Sequence, residues 1–451
     1  MSTSSSTKLR YAVVGLGARV TMYTDAIADP NQFQDRALLV GFCDTSRVRM
    51  EYHLRRLKGK FAHPSVPIYA ADDFDRMIRE TKPDAVIVTT PDGFHHYYAI
   101  KAMELGCDVV VEKPLTIDAE KLNALLDAQK RTGRNIRVTH NMRYTYAASK
   151  LREIVASGRI GKPLMVDLQW MLDTAHGADY FRRWHRDKHI SGGLLLHKAS
   201  HHFDAVNWWI NSYPQTVFCM GELKFYGKKN AENRGEKYTY SRYTGVPEAK
   251  NDPFAFFLNT PETKGLYLGA EKESGYIRDR NVMGEPVTAE DTISVSAKYK
   301  NGVIFNYSLV AYCPWEGMRV AITGTKGRAE LFQQHGTQFI TGQTDEERAA
   351  EEKQQSANDR FLRVIPMFGV PEDVPLVSRG GSHGGSDKDI LERIFLPNPP
   401  ADPLHRDATH IDGAAACLVG IAANRSIETG QPVHCDDLVH LPALYDFSNR
   451  L

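Results

Sequence analysis

Polar residues recur at helical spacing in the stretch Ser191-Gly-Gly-Leu-Leu-Leu-His-Lys-Ala-Ser-His-His-Phe-Asp204. His197, His201, Asp204 and Trp208 stand four, three and four residues apart, which puts them on one helix face. Two imidazoles and a carboxylate on an apolar helix are costly to bury unless paired or used. The spacing therefore marks either histidines satisfied within a core or a site that moves protons. His197 and His201 also have the spacing of metal ligands, but no HExxH motif or carboxylate set accompanies them, and no metal is expected. Lys113, in Glu112-Lys-Pro114, is a further candidate. At a strand end its amine can take the proton of a hydroxyl under oxidation or stabilise the alkoxide that develops. The proline after it stiffens the backbone and withholds a donor. The plainer alternative is a solvated surface lysine.

The elements that must carry Lys113 alternate strictly. Tyr11-Ala-Val-Val-Gly-Leu-Gly17 reads as a buried strand entering a glycine turn, and Val20 to Ala28 as a helix. In such an arrangement backbone N–H groups at a helix start hold a pyrophosphate. Gly15 makes the tight turn and Gly17 lets the phosphates approach, although Val20 stands where a third glycine is usual. The strand Leu38 to Cys43 ends in Asp44, which can accept hydrogen bonds from a ribose 2′-hydroxyl and so favours NAD. It can equally cap a helix over Ser46 to Leu57. Thr45-Ser46-Arg47 lies close enough to receive a 2′-phosphate, which leaves NADP open. Further strands are read at Ile68 to Ala70, Ala85 to Thr89, Asp108 to Val111 and Ile136 to Thr139, with helices between them. This pattern predicts a doubly wound parallel sheet with its ligand at the strand carboxyl ends. Gly15, Asp44, Thr90, Lys113 and Asn141 fall on that rim.

Asn141-Met-Arg-Tyr144 follows the last of these strands, dividing the chain into residues 1–142 and 143–451. The second domain reads as a helix over Ala147 to Ser157 and a strand over Pro163 to Met171. A polar loop over Asp173 to Ile190 contains Arg183, Trp184 and Arg186, a mixture suited to a sugar or anionic substrate. Strands are expected at Val217 to Phe225, Thr292 to Tyr299, Val303 to Ala311, Arg319 to Thr323 and Ala329 to Phe332. They form an open, mainly antiparallel sheet whose outer face is apolar and pairs with a second copy. Lys228 to Gly284 and Thr341 to Arg379 read as polar inserts, and a small-residue helix over 409–429 is expected to pack back on the first domain.

Hydrophobic residues make up 42% and charged residues 25% of 451, with a net charge of +1. The balance gives no reason to expect nucleic acid or an anionic membrane surface. Cys43, Cys107, Cys219, Cys313, Cys417 and Cys435 form no CxxC pair, offering neither a zinc site nor an obvious disulfide framework. No signal peptide or bilayer-spanning run is read, so a cytoplasmic protein is expected.

Gly15-Leu-Gly17, Asp44, Thr90-Pro-Asp-Gly-Phe-His95, Glu112-Lys-Pro114 and the Gly192-Gly193…His201…Asp204 helix resemble the Gfo/Idh/MocA oxidoreductases. The resemblance implies an NAD(P)-binding Rossmann domain joined to an α+β domain, and action on sugars, cyclitols or their derivatives. It implies that Lys113 is the catalytic lysine and His201 the active-site histidine. Ala18, Arg19 and Val20 of the glycine turn, with Pro91, His95 and Glu112, are placed on the cofactor side. Arg143, Tyr144, Lys198 and Asp204 are placed on the substrate side, as is His383 in Gly380-Gly-Ser-His-Gly-Gly-Ser-Asp387. One departure is chemical. His197 stands where the family usually has an aspartate and Ala199 where it has a glycine, and a neutral imidazole cannot stabilise an ammonium as a carboxylate does. The expected reaction is hydride transfer between a carbohydrate and NAD, with Lys113 and His201 meeting across one nicotinamide. The alternatives are a redox-neutral hydrolase or lyase that oxidises transiently on retained NAD, a metal-assisted enzyme and a non-catalytic regulator.

Overall fold

In the computed structural model, residues 8–335, 360–377 and 385–442 are described. The chain folds into two units. The first holds Met1–Asn141, Leu258–Arg278 and Gly381–Ala414; the second holds Met142–Phe257, Asp279–Gly380 and Ala415–Leu451. Two stretches from the later part of the chain thus return to the first unit.

The first unit is built on β1 (Leu9–Val14), α1 (Thr21–Ala28), β2 (Ala37–Asp44), α2 (Arg47–Phe61), β3 (Ile68–Ala70), α3 (Phe74–Thr81), β4 (Ala85–Val88), α4 (His95–Glu104), β5 (Asp108–Val111), α5 (Ala119–Thr132) and β6 (Ile136–Val138). The strands pair in parallel in the order β6-β5-β4-β1-β2-β3. A short strand β15 (Ala408–Thr409) joins β6 antiparallel. Val13, Val14, Val86, Ile87, Val109 and Val111 are buried, as continuous apolar runs covered on both faces require. Strand order reverses between β1 and β4, which opens a crevice at their carboxyl ends. Ser46 caps α2 by accepting from Arg49 N, and Asp118 caps α5 by accepting from Lys121 N. The cap of α2 is therefore Ser46 and not Asp44.

The second unit carries β7 (Pro163–Asp173), β8 (Pro214–Glu222), β9 (Thr292–Tyr299), β10 (Ile304–Cys313), β11 (Gly317–Gly324), β12 (Gly327–Gln334), β13 (Arg360–Pro366), β14 (Glu372–Asp373) and β16 (Val433–His434). They form one sheet in the order β14-β13-β12-β11-β7-β10-β9-β8-β16. Only β7 with β10 pair in parallel. The cross-strand row Cys219, Val295, Tyr307, Leu168, Val320, Leu331 and Leu362 is buried. The next row, Met220, Ser294, Ser308, Gln169, Arg319, Phe332 and Phe361, is partly or fully exposed. The outer face is thus mixed, against the expectation of an apolar one, because Ser294, Ser296, Lys298, Asn306 and Ser308 stand on that side of β9 and β10 among its apolar residues.

Two stretches that read as irregular in the sequence are ordered. Asp173 accepts from Ala175 N and His176 N, which starts a helix over Thr174–Arg182 in place of the expected loop. It buries Ala178, Tyr180 and Phe181. Within the polar insert Thr341 to Arg379, β13 pairs with β12, and Leu362 and Val364 face the core. Among the described residues no helix is long and apolar enough to cross a membrane.

Candidate functional site

The glycine turn shows two different uses of glycine. Gly15 has φ +87°, and a Cβ there would lie 2.5 Å from Thr90 N. The turn after β1 therefore packs directly on the backbone that leaves β4. Gly17 has no atom within 4 Å of an added Cβ. It precedes the helical turn Ala18–Val20, so open space lies where backbone N–H groups begin a helix. The Thr90 Oγ1 is buried with no hydrogen-bond partner among the described residues. An orphaned hydroxyl, an open glycine and a strand-order reversal suit a dinucleotide, with Gly15 to Val20 against the pyrophosphate and Thr90 further along the crevice.

Around this turn the charged residues hold one another. Asp44 Oδ2 accepts from Leu16 N at 2.6 Å, and Oδ1 accepts from Ser46 N at 2.7 Å and Arg49 Nη1 at 3.1 Å. His53 Nε2 lies 3.2 Å from Leu16 O and braces the turn from α2. Arg19 Nε and the Tyr23 hydroxyl each donate to Glu112 Oε1 at 2.6 Å. Burial pushes the Glu112 carboxyl up, but Arg19, Tyr23 and Lys113 bring it below its usual value. Glu112 and Arg19 thus form an ion pair that fixes the loop before Lys113. Lys113 follows β5, the neighbour of β4. Buried His95 binds both loops: Nδ1 lies 2.7 Å from Pro114 O and Nε2 lies 2.9 Å from Thr90 O. Burial lowers its pKa, and a neutral ring donates to one of these carbonyls at a time. Pro91 leads into the turn Asp92–Phe94. Asn141 Nδ2 donates to Asp387 Oδ1 at 3.1 Å. His383 lies outside the described residues.

In the second unit the polar helix is broken. Leu194–His197 and Ser200–Ile210 are separate helices, because Ala199 N reaches back five residues to Leu194 O and His201 N bonds Lys198 O. His197 and His201 are partly accessible, one on each side of the break. Asp204 is buried and receives Arg143 Nε at 2.7 Å and Nη2 at 2.6 Å. Their side chains are 0% and 2% exposed. Arg143 and Asp204, expected on the substrate side, thus neutralise each other out of reach of solvent. Tyr144 is likewise 2% exposed. Arg186, expected on the substrate side, is buried. Its guanidinium donates to the carbonyls of Asn281, Gly284 and Pro286, and burial, then Arg280, lowers its pKa to about 10. It fastens a loop.

The half-buried Trp184, His197, Arg183 and Lys198 gather elsewhere, around the buried Tyr180 and His185. Trp184 stacks on His185 with centroids 3.7 Å apart, and His197 meets His185 at 3.9 Å and Tyr180 at 5.5 Å. Arg183 Nη1 donates to Asp179 at 3.2 Å. Lys198 Nζ lies 4.6 Å from the centroid of Trp170. Enclosure lowers its pKa while Glu316 raises it. His176 Nδ1 lies 2.9 Å from Glu316 Oε2, and the Tyr180 hydroxyl lies 3.0 Å from His176 Nε2. By sequence Tyr180 is no more than one residue of a polar loop. His176 and Glu316 give no sequence signal because they sit 140 residues apart. Among the described residues no group of three or more His, Cys, Asp or Glu side chains is placed to hold a metal ion.

The family profile "Oxidoreductase family, NAD-binding Rossmann fold" matches residues 9–140, and "Oxidoreductase family, C-terminal alpha/beta domain" matches residues 152–434. YteT of Bacillus subtilis, named as an oxidoreductase, is 32% identical over 385 residues, spanning 83% of this chain and 87% of its own. Myo-inositol 2-dehydrogenase of Thermotoga maritima is 25% identical over 434 residues, spanning 96% and 100%. The solved structure of an oxidoreductase domain protein from Kribbella flavida has the same fold, with TM-score 0.62 and 18% identity over 95% of this chain and 100% of that one. The chain belongs to the Gfo/Idh/MocA oxidoreductase family, with an NAD-binding Rossmann domain and a carboxyl-terminal α/β domain.

Proposed function

We propose that this protein oxidises or reduces a carbohydrate at a CH–OH carbon with NAD, the substrate being a sugar, cyclitol or glycoside. The observation that carries the reading is the rim of the first unit. There the open Gly17, the Thr90 Oγ1 that has no partner among the described residues, and Lys113 stand at the ends of β1, β4 and β5. The inositol dehydrogenase relative supports a polyhydroxylated ring as substrate. A bound nicotinamide would supply the hydride acceptor for the carbon that bears the hydroxyl. Lys113, as a neutral amine, takes the hydroxyl proton as the C=O bond forms, and returns it in the reverse direction. Glu112, held by Arg19 and Tyr23, and His95, held on Thr90 O and Pro114 O, keep the Lys113 loop in place. In the second unit the half-buried Trp184 and His197 offer a ring face and a polar edge suited to a sugar. The exposed Met220, Ile304 and Phe361 of its sheet support self-association.

The test follows absorbance of the reduced cofactor with NAD and a panel of sugars, cyclitols and glycosides. Lys113→Ala is expected to lower kcat by about 100-fold or more with dinucleotide binding retained. Equal turnover in variant and wild type would remove the lysine from the chemistry. Free sugar released from a glycoside without accumulation of NADH would assign redox-neutral cleavage in place of net oxidation.

A further inference from the structure

The segment Leu258–Arg278 comes from the later part of the chain yet belongs to the first unit. It lies along α2. A Cβ on Gly265 would meet the Tyr52 ring at 2.3 Å, and one on Gly269 would lie 3.4 Å from Val48 Cγ1. Its helix Pro261–Leu266 starts with a capping box between Thr260 and Thr263, which stabilises the turn locally. Further on, Glu273 accepts from the Ser46 hydroxyl at 2.6 Å and from Val48 N at 3.1 Å. Arg49 donates Nε to Leu266 O at 3.1 Å and Nη2 to Ser274 Oγ at 2.8 Å, while Nη1 holds Asp44.

These hydrogen bonds fall where β2 runs into α2, the place at which a Rossmann fold distinguishes a ribose 2′-hydroxyl from a 2′-phosphate. A 2′-phosphate is held there by hydroxyl and N–H donors at the helix start and by an arginine. Each such group here already has a partner. Ser46 Oγ and Val48 N are taken by a carboxylate, and the Arg49 guanidinium is shared among Asp44, Leu266 and Ser274. Arg47, the arginine that the sequence suggests, points to Glu51 at 2.8 Å and is mostly exposed.

We propose that Leu258–Arg278 is a built-in selector for NAD over NADP, with Glu273 as its specificity-determining residue. The Glu273 carboxylate occupies the anion-binding helix start and repels a second anion brought to it, while a ribose hydroxyl still finds Asp44 beside it. The Ser46 hydroxyl and then Val48 N hold the Glu273 carboxyl below its usual pKa, so it is charged at neutral pH. The selector rests on the reading of the crevice as a nicotinamide dinucleotide site.

The experiment titrates the full-length protein with NADH and with NADPH by fluorescence, for wild type, Glu273→Gln and Glu273→Lys, with melting temperature as the folding control. Wild type is expected to prefer NADH by about 100-fold, because like charges brought together cost several kcal/mol. Glu273→Gln removes the charge and keeps the shape, and narrows the preference by about tenfold; Glu273→Lys narrows it further. An unchanged ratio in both folded variants leaves Glu273 as a tether of its own segment and overturns the selector. So does a wild type that binds the two equally, with the dinucleotide site intact. A wild type that binds neither overturns the dinucleotide reading and the selector with it.

Discussion

Arg143 grips Asp204 with two parallel hydrogen bonds, Nε to Oδ2 at 2.7 Å and Nη2 to Oδ1 at 2.6 Å, in the interior of the second unit. Breaking a buried pair strands the surviving charge. Asp204→Ala is expected to cost about 3–5 kcal/mol, read as a lower urea midpoint. Arg143→Met with Asp204→Leu should restore much of that loss, since an apolar pair of similar volume does not strand a charge. A stable Asp204→Ala protein with only a raised KM would return Asp204 to the substrate.

Gly15 and Gly17 should separate folding from binding. Gly15→Ala forces a left-handed residue into contact with Thr90 N and is expected to lose about 1–3 kcal/mol of stability. Gly17→Ala has φ −74° and free space around it, so its melting temperature should stay close to wild type. Its added methyl group should weaken NADH, measured by fluorescence, by about tenfold. Loss of stability in Gly17→Ala with undisturbed NADH binding would contradict both assignments.

His53 gives the first unit an acid sensitivity. Burial, then Arg56, lowers its pKa from 6.5 to about 4, and Nδ1 has no partner among the described residues. The unfolded chain takes up the proton near pH 6.5 and the folded one only near pH 4. The stabilisation is therefore complete above the higher value and lost as pH falls through the lower one. His53→Gln keeps a donor for Leu16 O. Thermal melts from pH 7 to 4 should show wild type losing up to about 3 kcal/mol relative to this variant. Parallel curves would mean that the ring is protonated in the folded state.

Arg186 should behave as a structural residue. Arg186→Met leaves three carbonyls of the 281–286 loop without their donor and is expected to cost about 2–4 kcal/mol. Proteolysis should then open that loop first. A well-folded variant with an intact loop and a selective rise in KM would identify Arg186 as a substrate ligand.

The parallel sheet is legible in the sequence because its signals are local. Short apolar strands lead into Asp44, Thr90 and Lys113, and Asp118 and Gly133 bracket α5 by the ordinary cap rules. Thr292–Tyr299 is legible from its alternation alone. What escapes is non-local. The sequence shows Asp204 and Arg143 as available charges, and only the fold reveals that each is the other's partner. β13 lies in a polar stretch and is a strand because β12 offers it an edge, with only Leu362 and Val364 to bury. The helix over Thr174–Arg182 reads as a loop because His176, Gly177, Asp179 and Arg182 outweigh the Asp173 cap. Glu273 carries no motif, and its importance comes from a partner 227 residues away.

The return of Leu258–Arg278 and of Ala408–Thr409 to the first unit bears on how the protein is made. A nascent chain released from the ribosome at residue 142 has its parallel strands but lacks the clasp on Arg49 and the last strand of the sheet. That lobe waits, incompletely zipped, until more than 250 further residues have been synthesised. Closure of so long a span is slow and leaves an edge open to wrong partners. Chaperone demand during translation should therefore fall on the first lobe, although most of it precedes the second along the chain.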